Sequence, residues 1–85
     1  MKKDINLAVI DDDQDICELI TAFFRPRGYS VTSFADVSDF LKDANLLPNF
    51  DVILCDLNLP KSNGIDFAAS AKENSIAAPI ILITA

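Results

Sequence analysis

The chain alternates between short apolar runs and longer segments in which apolar residues recur every three or four positions. The apolar runs are rich in branched side chains and predict β-strands at residues 5–10, 52–55 and 80–84. Residues 29–34 alternate weakly and are rich in β-forming residues, which predicts a further strand there. The segments with helical spacing predict three α-helices, with apolar positions at 16–24 in the first, 37–44 in the second and 64–74 in the third. Strands that alternate with helices favour right-handed crossovers, so the expected fold class is α/β with an open parallel sheet.

Residues with known preferences for helix ends mark the limits of these helices. Asp13 and Asp15 lie in the first turn of the first helix, where acidic side chains suit the positive end of the helix dipole. Gly28 is the expected stop signal of that helix, and Asp36 or Ser38 is expected to cap the second. We therefore assign Asp13 and Asp15 to helix capping and not to a binding site.

The third predicted strand ends at Asp56, and turn-forming residues follow it. Pro60, Ser62, Asn63 and Gly64 form a cluster of helix and strand breakers, which predicts a loop. In open α/β sheets, ligands bind at the carboxyl ends of the strands. A carboxylate is costly to desolvate there without a partner, so we expect Asp56 to meet a cation or a reacting group.

A parallel sheet brings other polar residues to the same edge. Asp11 and Asp12 follow the first strand, and Thr84 ends the fourth. Three crowded carboxylates repel one another unless a divalent cation neutralises them. Hard oxygen ligands favour Mg²⁺, which keeps several waters and binds phosphate groups. The sequence therefore predicts a Mg²⁺ site formed by Asp11, Asp12 and Asp56.

The length and charge of the chain exclude several classes of function. Eighty-five residues are enough for one small domain, and an apolar content of 51% allows a real core. The net charge of −6 argues against direct binding of nucleic acid or of an anionic membrane surface by this segment. No apolar run approaches the length of a membrane span, and no signal-peptide pattern precedes the first strand.

The two cysteines lie inside predicted elements. Cys17 and Cys55 match no metal-binding spacing, so we interpret them as small core residues of a protein in a reducing compartment. The expected location is therefore the cytoplasm.

Three blocks of the sequence, in order, resemble the receiver domain of bacterial two-component response regulators: residues 9–13 (VIDDD), 51–60 (DVILCDLNLP) with Gly64, and 83–85 (ITA). The resemblance covers the whole chain and implies a flavodoxin-like receiver topology with strand order 2-1-3-4. The family continues with a fourth helix, a fifth strand and a fifth helix, which would lie beyond Ala85. We therefore expect residues 1–85 to be an incomplete receiver domain.

The resemblance also implies a function for the acidic residues. Asp56 would be the phosphoacceptor, taking a phosphoryl group from the phosphohistidine of a sensor histidine kinase or phosphotransfer protein and switching a downstream output. Asp12, Asp56 and the backbone carbonyl of Asn58 would bind Mg²⁺ directly, and Asp11 would act largely through a metal-bound water. The Thr84 hydroxyl would bond a phosphoryl oxygen, and Ala85 would leave room for that group.

One part of the family's site has no counterpart in this sequence. Receivers carry a lysine at the end of the fifth strand that pairs with the phosphoryl group, and an aromatic residue on that strand that moves with the threonine. Both would lie beyond Ala85, and neither Lys61 nor Lys72 stands at a position that could substitute. We expect phosphoryl transfer to the 85-residue chain to be slow for this reason.

Other functions remain as alternatives. An aspartyl-nucleophile phosphohydrolase needs a second acid two residues after the nucleophile, where this chain has Asn58. A receiver-like interaction module without phosphorylation would not need the full set of acids together with Thr84. A nucleotide-binding domain would need a glycine-rich loop after the first strand, which is missing. We therefore expect a signalling domain and not an enzyme, with at most self-phosphorylation from small donors and self-dephosphorylation.

The predicted topology leaves one face of the sheet poorly covered. Right-handed crossovers place the first helix on one face and the second and third helices on the other. The third and fourth strands are apolar on both sides, so part of their surface would face water. We expect residues 1–85 to be part of a longer receiver, or to self-associate through the fourth strand and the uncovered face.

Overall fold

The computed structural model describes residues 5–43, 50–71, 73 and 76–83. Within them, four parallel strands form one sheet: β1 (Ile5–Ile10), β2 (Tyr29–Phe34), β3 (Val52–Asp56) and β4 (Ile80–Ile83). Their spatial order is β2-β1-β3-β4. The α/β class, the parallel sheet and the strand order 2-1-3-4 are thereby confirmed.

The strands and helices alternate as the apolar pattern predicts. The helices are α1 (Gln14–Phe24), which continues into a single 3-10 turn (Arg25–Arg27), then α2 (Val37–Asp43) and α3 (Gly64–Ala69). The predicted second helix extends to residue 44 and the predicted fourth strand to Thr84, and both of these positions lie outside the described residues. Among the described helices, none has the length and apolar character needed to cross a membrane.

Side chains and one glycine fix the helix ends. Asp13 caps α1, accepting the N–H of Asp15 at 2.9 Å and that of Ile16 at 3.3 Å. Gly28 stops the 3-10 turn with φ at 91°, a left-handed conformation that a residue with a Cβ rarely adopts. Asp36 caps α2 by accepting the N–H of Ser38 at 3.2 Å. The capping predictions for Asp13 and Asp36 are therefore confirmed.

The third helix is shorter than the predicted range 64–74. α3 ends at Ala69, because the backbone of Ser70 leaves the helical region at φ −91° and ψ 5°. The N–H of Ser70 donates to the carbonyls of Asp66 and Phe67 at 3.0 and 3.1 Å, which tightens the last turn. The Ser70 hydroxyl also donates to the Phe67 carbonyl at 3.0 Å, a local bond that competes with continuing the helix.

The sheet separates two apolar cores. α2 and α3 cover one face, where a cluster of buried side chains includes Phe34, Phe40 and Phe67. The Phe40 ring lies 5.3 Å from Phe34 and 5.8 Å from Phe67, centroid to centroid, and meets both nearly edge-on. α1 covers the other face, where the buried residues are Leu7, Val9, Cys17 and Val31. The helices are thus distributed as right-handed crossovers require.

The face under α1 is incompletely covered by the described residues. Val52 and Leu54 of β3 are half-buried and pack against the smaller core, whereas Ile81 of β4 is 50% exposed. On the opposite face, Ile53 and Cys55 of the same strand β3 are fully buried. The alternation along β3 therefore divides it into a fully covered side and a half-covered side.

Phe40 lies in the centre of the larger core, and its burial is expected to contribute strongly to the stability of the folded state. Replacing it with alanine removes a buried ring that packs against three other rings, those of Phe34, Phe50 and Phe67. Phe40→Ala should therefore lower the free energy of unfolding by about 3–5 kcal/mol. Urea unfolding followed by circular dichroism measures this loss.

Phe23→Ala is the matched control for that substitution. Phe23 lies on α1 and is 51% exposed, so the same substitution should cost about 1 kcal/mol or less. Equal decreases in the free energy of unfolding for the two variants would contradict the assignment of Phe40 to the larger core.

Candidate functional site

Three carboxylates meet at the carboxyl edge of the sheet. Asp11 and Asp12 follow β1 directly, and Asp56 is the last residue of β3, which pairs with β1. Each of the three offers an oxygen, and these oxygens all lie within 4.8 Å of one another. The structure therefore brings together the three acids that the sequence assigns to one edge.

Hydrogen bonds hold Asp11 in place at the bottom of this cluster. Its N–H donates to the carbonyl of Phe34 at 2.9 Å, and its Oδ1 accepts the N–H of Asp13 at 2.9 Å. The Cys17 thiol donates to the Asp11 carbonyl at 3.4 Å. Asp11 is buried, Asp56 is half-buried and Asp12 is exposed, so the cluster opens toward solvent on the Asp12 side.

The metal-free cluster carries an electrostatic cost at Asp11. Burial is the main cause that raises the pKa of Asp11, and the charges of Asp56, Asp12 and Asp13 raise it further. The hydrogen bond from the Asp13 N–H opposes the shift without cancelling it. A cation bound between the carboxylates would remove this cost, so the donor set and its charge fit a hard divalent ion.

A short loop, residues 57–63, connects Asp56 to α3; we call it the β3–α3 loop. Its first N–H, from Leu57, donates to the carbonyl of Ile83 at 2.9 Å. The N–H of Asn58 donates to Oδ1 of Asp56 at 3.1 Å, and Asn58 forms an isolated antiparallel bridge with Asn63. The loop is therefore closed on itself and hydrogen-bonded to the carboxylate that precedes it.

Gly64 brings α3 against the end of β3. A Cβ built on Gly64 would lie 2.7 Å from the carbonyl oxygen of Asp56 and 3.1 Å from the Cα of Leu57, both backbone atoms. No side chain fits there unless the backbone shifts. The sequence marks Gly64 only as a breaker, whereas the structure shows that it permits a close approach of helix and strand.

Of the remaining predicted site residues, Asn58 lies within the described part of the chain and Thr84 does not. Asn58 lies beside Asp56 and contacts it through its N–H, and the role of its carbonyl as a Mg²⁺ ligand stays a prediction. Thr84, like Ala85, lies outside the described residues, so its role toward a phosphoryl group also stays a prediction.

The sequence did not reveal the contact between Asp36 and the β3–α3 loop. The sequence predicts only that Asp36 or Ser38 caps α2 and that Ser62 lies in a turn-forming loop. The Ser62 hydroxyl donates to Oδ2 of Asp36 at 3.1 Å across 26 positions of the chain. Neither residue stands out by type or spacing, because a contact of this range depends on how the two loops pack.

Replacing Asp11 with asparagine is expected to stabilise the metal-free protein at neutral pH. The pKa of Asp11 is raised above its ordinary value of 3.8, so the folded state binds this proton more tightly than the unfolded state. The stabilising contribution of Asp11 is therefore fully present below pH 3.8 and is lost as the pH rises through the raised pKa. Asparagine keeps an oxygen that can accept the N–H of Asp13.

Urea unfolding of wild type and Asp11→Asn in the presence of a chelator, at several pH values between about 3.5 and 7, measures this difference. The advantage of the variant should grow with rising pH. A difference that is constant or shrinks as the pH rises would contradict the electrostatic cost assigned to Asp11.

Comparison with known proteins identifies the family. The family model for the response regulator receiver domain matches residues 7–85. The chain is 35% identical over 81 residues to the transcriptional regulatory protein DltR of Streptococcus agalactiae, a match that covers 95% of this chain and 36% of DltR. The chain thus spans about a third of this curated relative.

Solved structures with the same fold include two response regulators that contain a bound metal ion together with a phosphoryl group or BeF. One is TrrA of Thermotoga maritima in complex with Mg²⁺–BeF, with a TM-score of 0.82, 26% identity and coverage of 94% of this chain and 69% of that one. The other, from Burkholderia pseudomallei, contains a phosphorylated aspartic acid, a calcium ion and citrate. It matches with a TM-score of 0.81 and 28% identity, and the match covers 95% of this chain and 47% of that one. Sequence, fold and family model agree, and the chain belongs to the receiver domain family of two-component response regulators.

Proposed function

We propose that this chain is a phosphoacceptor domain that receives a phosphoryl group on Asp56. The donor is the phosphohistidine of a sensor histidine kinase or of a phosphotransfer protein, and the modification switches a downstream output. The observation that carries the proposal is the convergence of Asp11, Asp12 and Asp56, with oxygens within 4.8 Å of one another at the carboxyl edge of the sheet. Membership of the receiver family supports the same assignment.

Mg²⁺ is the proposed cofactor. Asp12, Asp56 and the backbone carbonyl of Asn58 would hold the ion, and Asp11 would act largely through a metal-bound water. When bound, Mg²⁺ would neutralise the carboxylates and the incoming phosphoryl oxygens, which otherwise repel each other. The Mg²⁺–BeF complex of TrrA and the phosphorylated aspartic acid of the Burkholderia protein support this chemistry for the family.

The residues of the chain supply the acceptor and its orientation. An oxygen of the Asp56 carboxylate forms a P–O bond while the P–N bond to the donor imidazole breaks, and the electron pair of that bond goes to the imidazole nitrogen. The Asn58 N–H occupies Oδ1 of Asp56, so the second oxygen, Oδ2, is the one we assign to the attack. The Thr84 hydroxyl would bond a phosphoryl oxygen of the product.

The proposed domain is a signalling element and not an enzyme that turns over a separate substrate. Its acceptor is consumed in the reaction, and its chemistry extends at most to self-phosphorylation from small donors and self-dephosphorylation. Asn58 stands where an aspartyl-nucleophile phosphohydrolase needs its second acid, which argues against hydrolysis of external phosphate esters.

Phosphorylation of Asp56 can be measured with acetyl phosphate and Mg²⁺. The chain should acquire a phosphoryl group on Asp56, because the three convergent carboxylates can hold the Mg²⁺ that would neutralise the transferring charge. The adduct should be an acyl phosphate that is stable in acid and labile in base. Mass spectrometry of intact protein follows its formation.

Asp56→Asn should abolish the label, and omission of Mg²⁺ should do the same. Asp66→Asn is the matched control, because Asp66 is an exposed carboxylate in the first turn of α3, outside the acidic cluster, and its loss should leave labelling unchanged. Label that persists on Asp56→Asn would place the acceptor elsewhere and overturn the proposal.

We also propose that residues 1–85 self-associate, and that the occupant of the half-covered face is a second copy. Ile81 is 50% exposed, and Val52 and Leu54 beside it are only half-buried. Within the described residues, β4 pairs with β3 along one edge and has no strand on the other. An apolar surface next to an unpaired strand edge favours pairing with an identical edge.

Analytical ultracentrifugation tests this assembly. The wild-type chain should sediment as a dimer or larger species, and Ile81→Lys should shift it toward monomer by placing a charge on the contact surface. Ile65→Lys is the matched control, since Ile65 is similarly exposed at 56% but lies on α3, over the other face. A wild-type monomer that unfolds cooperatively and binds no hydrophobic dye would overturn the proposal.

A further inference from the structure

Asp36 is a buried carboxylate that lies between β2 and α2, outside the acidic cluster. Its residue is only 8% exposed. Oδ2 accepts three hydrogen bonds: from the Ser38 N–H at 3.2 Å, from the Ser38 hydroxyl at 3.0 Å and from the Ser62 hydroxyl at 3.1 Å. Two of these donors belong to the helix that Asp36 caps. The third belongs to the β3–α3 loop and is not needed to cap α2.

The other oxygen of Asp36 is also shielded from solvent. Oδ1 is buried and accepts no hydrogen bond among the described residues. A buried acceptor without a partner is costly. The β3–α3 loop packs over this carboxylate, and Ser62 is the loop residue that donates to it.

The state of charge strengthens the contact with Ser62. Burial raises the pKa of Asp36, but the hydrogen bonds from Ser38 and Ser62, together with the nearby Val37 backbone N–H, outweigh burial and hold that pKa below its usual value. Asp36 is therefore anionic at neutral pH, and a hydroxyl that donates to an anion forms a stronger bond than one that donates to a neutral acceptor.

Ser62 lies in a loop whose geometry matters for Asp56. Asn58 and Asn63 bridge the two ends of the loop, and Leu59 between them is buried in the larger core. The same loop carries the Asn58 N–H that donates to Asp56 Oδ1. The bond from Ser62 to Asp36 thus fixes, from outside the cluster, the segment that orients the proposed acceptor.

We propose that Asp36 and Ser62 form a positioning pair, which holds the β3–α3 loop, and through it Asn58, in the conformation needed for phosphoryl transfer to Asp56. The effect of the pair on phosphoryl transfer rests on the proposed function, whereas its hold on the loop rests on the hydrogen bonds described above. Without the Ser62 hydroxyl, the loop loses its tie to α2, and the N–H and carbonyl of Asn58 lose their fixed placement beside Asp56.

Two serine substitutions separate positioning from simple stability. Ser38→Ala and Ser62→Ala each remove one hydroxyl donor from the same oxygen, Asp36 Oδ2, at nearly equal distances. Both variants should therefore lose similar stability. Only Ser62 belongs to the β3–α3 loop, so only Ser62→Ala should alter the surroundings of Asp56.

Three readouts follow the loop and the site. In the metal-free protein, hydrogen exchange of the Asn58 amide should be about three- to tenfold faster in Ser62→Ala and unchanged in Ser38→Ala, the range expected for loss of one hydrogen bond. Titration with MgCl₂ should show a similar three- to tenfold loss of Mg²⁺ affinity in Ser62→Ala alone. Labelling by acetyl phosphate at saturating Mg²⁺ should be slowed by the same factor. Ser62→Thr, which keeps the hydroxyl, should restore all three.

The outcomes distinguish this inference from the function on which it rests. Equal effects of Ser38→Ala and Ser62→Ala on Asn58 exchange, or no effect of either, would overturn the positioning pair whatever the labelling shows. Failure of wild type to acquire label on Asp56 would overturn the proposed function, while the exchange of the Asn58 amide would still decide whether Ser62 holds the loop.

Discussion

The parallel arrangement of β1 and β3 is the constraint on which the rest of this structure depends. Strands that run in the same direction end on the same edge, so the residues that follow β1 and the last residue of β3 must lie close together. Asp11 cannot move away without breaking its hydrogen bond to Phe34, and Asp56 cannot move away without breaking the β3–β4 ladder. The sheet therefore holds these carboxylates close together, and their mutual repulsion favours the binding of a cation.

Much of this arrangement could be predicted from local sequence. The bounds of β1 follow from a run of branched apolar side chains, and those of β2 from a weak alternation of β-forming residues. Gly28 and Asp36 mark helix ends for reasons that act within a few residues. The convergence of the acids followed from topology alone. The end of α3 was missed, because the choice of Ser70 between helix and turn depends on one local bond to Phe67.

The contacts that the sequence could not predict are those made between distant loops. The need for glycine at position 64 comes from the approach of α3 to the carbonyl of Asp56, which no apolar pattern encodes. The bond from Ser62 to Asp36 spans 26 positions, and serine and aspartate are ordinary residues for a turn and a helix cap. Local preferences explain each residue separately and say nothing of their pairing, which is decided when α2 and α3 pack on the same face of the sheet.

The alternation of side chains along β3 also separates a cysteine from the acidic cluster. Cys55, the residue before Asp56, is fully buried in the larger core, and burial, followed by the charges of Asp56, Asp11 and Asp36, raises the pKa of its thiol to about 11. At neutral pH this thiol is almost entirely protonated, so its sulfur atom is a poor nucleophile although it lies next to the acidic cluster. One step along the strand thus separates an inert, buried thiol from the carboxylate that we propose as the phosphoryl acceptor.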